Sequence, residues 1–262
     1  MRIDGGARVR ARVALLAATL MIVASAACGT RLFGKAYEYE EDIYVSLDGS
    51  ADIIVNASVP ALVTLRGLTL NVDRAAGLDR EQVRAAYSSP VCEVTRVSRP
   101  WRRQGRQFTQ IRAHVPDIRK LSQVAPFAWS TYELSEKDGL MVYRQTMGAS
   151  ALRPGTLQNV GWQGGELVAV RLHLPSKIMW HNARDVETNE PSDIARGNIL
   201  AWEQALTDRL DGKPLTIEVR MERQSILYRT LWLFAGAFAA AVTVIALLIW
   251  WMVAKGAKAP GE

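Results

Sequence analysis

The stretch IYVSLDGSADIIVNASV, Ile43 to Val59, decides how the body of this chain is read. Ile43, Val45 and Leu47 alternate on the way to Asp48-Gly49, and Ala51, Ile53, Val55, Ala57 and Val59 alternate on the way out. A period of two means a strand with one buried face. An Asp-Gly pair between two such runs predicts a hairpin closed by a type I′ turn.

The same pattern repeats along the chain. A second hairpin is expected from Val91 to Val115, turning near Gly105, and a third at Asp138-Gly139, between STYELSEK and LMVYRQTM. Short helices are expected between the pairs. In LDREQVRAAY, Asp79 caps, Gln82 is placed to reach back, and Leu78 and Val83 are spaced for a hydrophobic staple. Pro116-Asp117 opens another, with Ile118, Leu121 and Val124 at helical spacing before Pro126. ELVAVRLHLP and LTIEVRME add strands near the end of the body. The expected fold is α+β: an antiparallel sheet built from hairpins, with short helices packed on one face, plus one C-terminal transmembrane helix.

Both ends speak of a membrane. Arg2, Arg8, Arg10 and Arg12 precede an apolar run, Val13 to Ala24, and then small residues, the layout of a bacterial secretory signal over residues 1–27. Two fates stand open. Cleavage could follow Ala26 or Ala27, or Cys28 could be a lipobox cysteine, lipidated as the mature N-terminus, although Ser25 replaces the usual aliphatic residue. Near the other end, LWLFAGAFAAAVTVIALLIWWMV (231–253) is uncharged, carries Trp232, Trp250 and Trp251 near its ends, and matches the ~20 residues a span requires. The flanking charges tie, so the basic leader sets the orientation. The expectation is a single-pass protein of the inner (cytoplasmic) membrane. Its domain, residues 37–222, would lie on the extracytoplasmic, periplasmic side, and a short tail, 254–262, in the cytoplasm.

The segment LHLPSKIMWHNARDVETNEPSDIARGNILAW, Leu172 to Trp202, contains a strand ending Leu174-Pro175-Ser176, then Asn182, then Gly197-Asn198 and a strand bearing Trp202. This resembles the LppM-like domain family of bacterial envelope lipoproteins, which also combines an early Asp-Gly hairpin with a C-terminal membrane helix. Ser176 stands where that pattern most often has Gly. The resemblance implies an α+β ectodomain that binds amphiphilic lipids or glycolipids, and it implies no catalytic residues.

Residue chemistry offers little towards an enzyme. His114, His173 and His181 form no HExxH or paired motif, and neither G-x-S-x-G nor a phosphate loop occurs, so no catalytic residue, metal or cofactor is assigned. Cys92 reads as a small core or edge residue, and Glu40, Glu41 and Asp42 as a solvated edge. GWQGGE, around Trp162, reads as a turn before a strand. A net charge of +6 scattered among many acids argues against a nucleic-acid partner. The most suggestive polar feature is SRPWRRQGRQ, where Arg99, Arg102, Arg103 and Arg106 surround Trp101 at a hairpin tip, which reads first as a solvated turn with ordinary charges and otherwise as a contact for anionic headgroups or an acidic partner. The loop His181 to Gly197 is the second. The leading expectation is therefore a non-enzymatic module for lipid or another amphiphile, supported by an apolar cavity between sheet and helices and opposed by a solid core there. The alternative is an accessory or structural subunit contacting membrane-protein partners. An envelope hydrolase would need His173, His181 or Cys92 to converge with an acid.

Overall fold

The computed structural model describes residues 35–73, 75–152 and 160–256. The leader, Cys28 and the last residues of the tail lie outside the described residues. β1 (Tyr37–Val45) and β2 (Ala51–Ser58) form the hairpin expected from the opening stretch. Its turn is wider than expected. Gly49 takes φ +97° while Asp48 keeps an ordinary φ, and the Asp48 carboxylate accepts from the Ser50 backbone at 2.9 Å and its hydroxyl at 2.8 Å. The two-residue left-handed turns fall elsewhere: at Gln104-Gly105 (φ +49°, +73°) and Asp138-Gly139 (φ +52°, +77°).

β3 (Glu93–Val97), β4 (Trp101–Arg103) and β5 (Arg106–Val115) follow, then β6 (Ser130–Lys137) and β7 (Leu140–Met147), β8 (Leu167–His173), β9 (Ser176–His181), β10 (Ile199–Ala205) and β11 (Leu215–Ser225). They make two sheets. A seven-stranded sheet has the order β10-β8-β1-β2-β5-β3, with β4 on β5, and a four-stranded sheet has the order β6-β7-β11-β9. Antiparallel hairpins supply most pairings, but β1 and β8 run parallel, Tyr39 beside Val168 and Ile43 beside Leu172. Alternation sorts their inner faces: Tyr39, Ile43, Ile53, Val55, Ile111, Val170 and Leu172 join Tyr143, Ile217, Val219 and Met221 of the second sheet in one buried cluster.

Four α-helices and two short 3-10 helices complete the described chain. α1 (Val59–Arg66) begins where the expected strand was to continue: Ser58 accepts from the Ala61 amide at 3.2 Å, Pro60 stands in the first turn, and Gly67 at φ +71° ends it. α2 (Arg80–Tyr87) is the expected helix, capped by Asp79. The Gln82 side chain donates to the Thr69 carbonyl at 2.7 Å rather than reaching back to the cap. The segment after Asp117 winds as a short 3-10 helix, Ile118–Gln123, with Ile118 and Leu121 buried as expected. α3 (Leu206–Leu210) is a single short turn. α4 (Ile226–Gly256) is long and apolar enough to cross a membrane, with a mean hydropathy of 2.4 and none of that window buried in the protein.

β1 corrects the reading of its acids as a solvated edge. It is an interior strand of the larger sheet, and Glu41 is fully buried. Its carboxylate accepts from Tyr39 Oη at 2.6 Å, Arg66 Nη2 at 2.8 Å and Gln145 Nε2 at 3.3 Å. Burying a carboxylate is costly unless it is paired and hydrogen-bonded. These three donors, from β1, α1 and β7, meet that condition and so tie both sheets and a helix to one atom group. Glu40 and Asp42 face outward and hold Arg171 at 2.6 and 3.6 Å.

The residues of the Leu172–Trp202 segment form the joint between the sheets. The chain leaves β8 of one sheet and enters β9 of the other across Pro175. Asn198, at φ +62°, donates through Nδ2 to the carbonyls of Leu174 (3.1 Å) and Ser176. Asn182 Oδ1 accepts from Trp202 Nε1 of β10 and from the Glu218 amide of β11, both at 2.9 Å, while its Nδ2 donates to Thr216 O at 2.9 Å. One amide side chain thus reads a strand from each sheet.

Candidate functional site

β9 is an edge strand with a bulge. Ile178 pairs with Met221 and Trp180 with Arg220, so Met179 is the additional residue, and both Met179 and Trp180 project outward. Their exposures, 52% and 46%, are unusual for large apolar side chains on a strand that also contributes to the core. The chain beyond His181 folds back over them. Asp185 Oδ1 accepts from the Glu187 and Thr188 amides at 2.9 Å each, Arg184 Nη1 donates to Asn189 O at 2.7 Å, and the Ser192 amide donates to Ala183 O at 3.0 Å. This excursion is internally bonded rather than a loose insertion.

Strand and excursion enclose a groove of about 480 Å³. Ile178, Met179, Trp180, Ala183, Pro191 and Ile194 give it apolar walls, and His181, Asn182 and Arg184 give it polar ones. Arg220 lies over the Trp180 ring, 4.9 Å from its centroid, and fixes the indole from the sheet side. Burial lowers the pKa of His181, and its Nδ1 is buried with no protein partner. The site therefore offers a neutral imidazole, a guanidinium and an indole around one volume. It lies close to α4: Ser176, at the start of β9, pairs with Ser225, and the Ile226 amide donates to Pro175 O at 2.9 Å. At about 3.3 Å per strand residue, Trp180 is on the order of 15 Å from that junction.

The hairpin tip divides the five residues singled out from the sequence. Arg106 is buried: it bonds Glu38 at 2.7 Å, donates to Gln104 Oε1 at 2.8 Å and to Gly161 O, and lies 3.7 Å from Glu166. It is a structural cation, not a surface contact, because Glu38 is a fully buried carboxylate that needs it. Trp162 Nε1 donates to the same carboxylate at 3.0 Å, and Glu166 accepts from the amides of Gln163 and Gly164, closing the turn expected there. Arg103 donates to the Tyr37 carbonyl and stacks 4.4 Å from the Phe108 centroid. Only Arg99, Trp101 and Arg102 of the five are exposed.

The other flagged residues are put to separate uses. His173 meets Asp42 at 3.1 Å and stacks on Tyr44 at 3.8 Å, and His114 meets Asp52 at 2.8 Å. Cys92 is a buried free thiol, pushed up to about 11 by desolvation. Sequence reasoning reached the excursion but missed Met179, Trp180 and Ile194. The available signal was the pair Met179-Trp180, two consecutive apolar side chains in a strand where one must face out.

No protein-family model matches the chain, and no curated protein matches it. Among solved structures it is similar to the folded domain of the Mycobacterium tuberculosis LppM protein, determined by NMR, with a TM-score of 0.36 and 14% identity, over 74% of this chain and 95% of that one. LppM is thus a distant structural neighbour, and the reading of the groove rests on its own geometry.

Proposed function

We propose that this protein is a membrane-anchored, non-enzymatic binding module of the bacterial envelope that takes an amphiphile into the groove beside β9. The observation that carries the reading is the groove's composition and place. Apolar walls on one part and His181, Asn182 and Arg184 on another suit a molecule with a tail and a polar head. The opening lies a few strand residues from the start of a helix fit to span a bilayer. In this reading α4 crosses the inner membrane, the domain stands on the extracytoplasmic face, and acyl chains on Cys28 are a second tether. The groove lies on the outer edge of the smaller sheet, away from the space between sheet and helices where the sequence reading looks for a cavity.

The test is native mass spectrometry of the full chain extracted from its own membranes. A co-purifying lipid mass that disappears in Trp180→Ala, with the protein still folded, supports the groove. A bare protein, or a lipid retained equally by that variant, rejects it. The same spectrum reads the mature N-terminus, where an unacylated Ala27 or Cys28 ends the lipoprotein reading.

A further inference from the structure

The walls of the groove beside β9 are set before any ligand arrives. Arg220 holds the Trp180 ring on the sheet side. On the other side the excursion is pinned by its own bonds, from the Glu187 and Thr188 amides to Asp185 and from Arg184 to the Asn189 carbonyl. Its two ends are tied down as well. The Asn182 amide donates to Glu218 O at 3.2 Å, and Asn198 Nδ2 donates to Leu174 O at 3.1 Å. A wall bonded at both ends and in its middle resists widening, so the volume of about 480 Å³ limits what enters.

A methylene is about the size of a water molecule, which takes ~30 Å³ in the liquid. A groove of 480 Å³ therefore holds on the order of sixteen such groups. One acyl chain of about twelve to fourteen carbons, with the atoms that join it to a head, fills that space. Two chains of that length need about twice the volume. The polar part is equally small. The Asn182 amide group is already bonded to Trp202, Glu218 and Thr216. That leaves His181 Nδ1, buried without a protein partner, and the Arg184 guanidinium beyond its bond to Asn189.

Building on the amphiphile reading of the groove, we infer that the ligand is a single-chain amphiphile, a fatty acid or a lysolipid by class, rather than a lipid with two tails. Burial of a chain gains with each methylene until the groove is full, and stops there. A second tail has no wall to cover it, and apolar surface left uncovered adds nothing to binding.

The experiment uses the full chain in nanodiscs of dimyristoylphosphatidylcholine doped with myristoyl lysophosphatidylcholine. The two lipids share a head and a chain length and differ in the number of chains. Native mass spectrometry reads the lipids retained once the bulk bilayer is stripped. Those that persist in both Trp180→Ala and Ile194→Glu surround α4, and those lost in both belong to the groove. Each of these side chains is 46% exposed, so the fold does not rest on either. The groove-dependent lipid is expected to be the lysolipid, enriched at least about tenfold over its share of the bilayer. Lysophosphatidylcholines of increasing length should bind more tightly up to about twelve to fourteen carbons and no more tightly beyond. A groove-dependent lipid with two chains, or affinity that keeps rising with length, overturns the inference and leaves the amphiphile reading standing. No groove-dependent lipid of either kind ends both.

Discussion

Two tryptophan–arginine pairs stand on the two different sheets of this domain, and they are built in opposite ways. At the hairpin tip the arginines are the supports: Arg103 and Arg106 face inward, bonded to Tyr37, Glu38 and Gly161, and Trp101 is what they hold up. At the groove an arginine again braces an indole, Arg220 against Trp180, but the wall is pinned by a neutral amide, Asn182. The difference lies in the partners. A fully buried carboxylate at the tip demands a buried cation, whereas beside the groove the carboxylate of Glu218 stays partly exposed and is shared between the more exposed Arg144 and Arg220. A cluster of basic residues in the sequence is therefore not one surface: the nearest buried acid decides which of them reach water.

That contrast predicts unequal costs, and the largest belongs to Arg106. Arg106→Ala leaves Glu38 buried beside Trp162 with its cation gone, and removing one member of such a pair costs about 3–5 kcal/mol. Denaturant unfolding of the full chain in nanodiscs measures it. Arg106→Lys recovers little, because an ammonium cannot replace bonds from Nε, Nη1 and Nη2 to three different partners. If Arg106→Ala is no worse than Arg99→Ala, the division of the tip into support and surface is wrong.

At the groove the cost is smaller, because no charge is exposed by the change. Asn182→Ala takes the acceptor from Trp202 Nε1 and the Glu218 amide, each left unpaired at about 1–3 kcal/mol when buried. The two sheets loosen where they meet, so groove binding weakens along with stability. Asn182→Asp, which keeps the acceptor oxygen, restores more than the alanine variant does. Equal losses would mean that the amide merely fills space.

The comparison also explains which parts of the molecule could be read from residues alone. Local signals worked where the cause was local: the Asp138-Gly139 turn, the Asp79 cap and the apolar period of β2 all stand in the structure. α1 was hidden because it is buried nearly all round, so no polar face gives it a 3.6-residue period, and its Val and Ala residues continue the alternation of β2. Its end signals, Ser58 with Pro60 and then Gly67, lie within a run whose alternation continues that of β2. The parallel β1–β8 pairing joins residues about 130 positions apart, for example Asp42 and Arg171, and no pattern within either strand encodes it. From that pairing follows the burial of Glu38 and Glu41, hence the fate of Arg106. The site misreading was thus a topology misreading carried forward.

A pH difference sharpens the comparison further. Burial lowers His181 in the folded protein, while the unfolded chain keeps the ordinary imidazole value near 6.5. Below that value the unfolded state takes the proton first, so stability falls as pH drops through the imidazole range and recovers above it. For one group the slope is at most about 1.4 kcal/mol per pH unit. Subtracting the profile of His181→Gln isolates it. A difference profile that is flat between neutral pH and the onset of acid unfolding would place His181 in water rather than in the groove wall.

The smallest effect on stability is the one that bears on the tip. Arg99→Ala changes a side chain exposed at the surface, and such substitutions fall within about 0.5 kcal/mol. Denaturant unfolding of Arg99→Ala beside Arg106→Ala measures the gap between an exposed guanidinium and a buried one, and a loss for Arg99→Ala beyond about 1 kcal/mol would mean that this side chain also supports the hairpin.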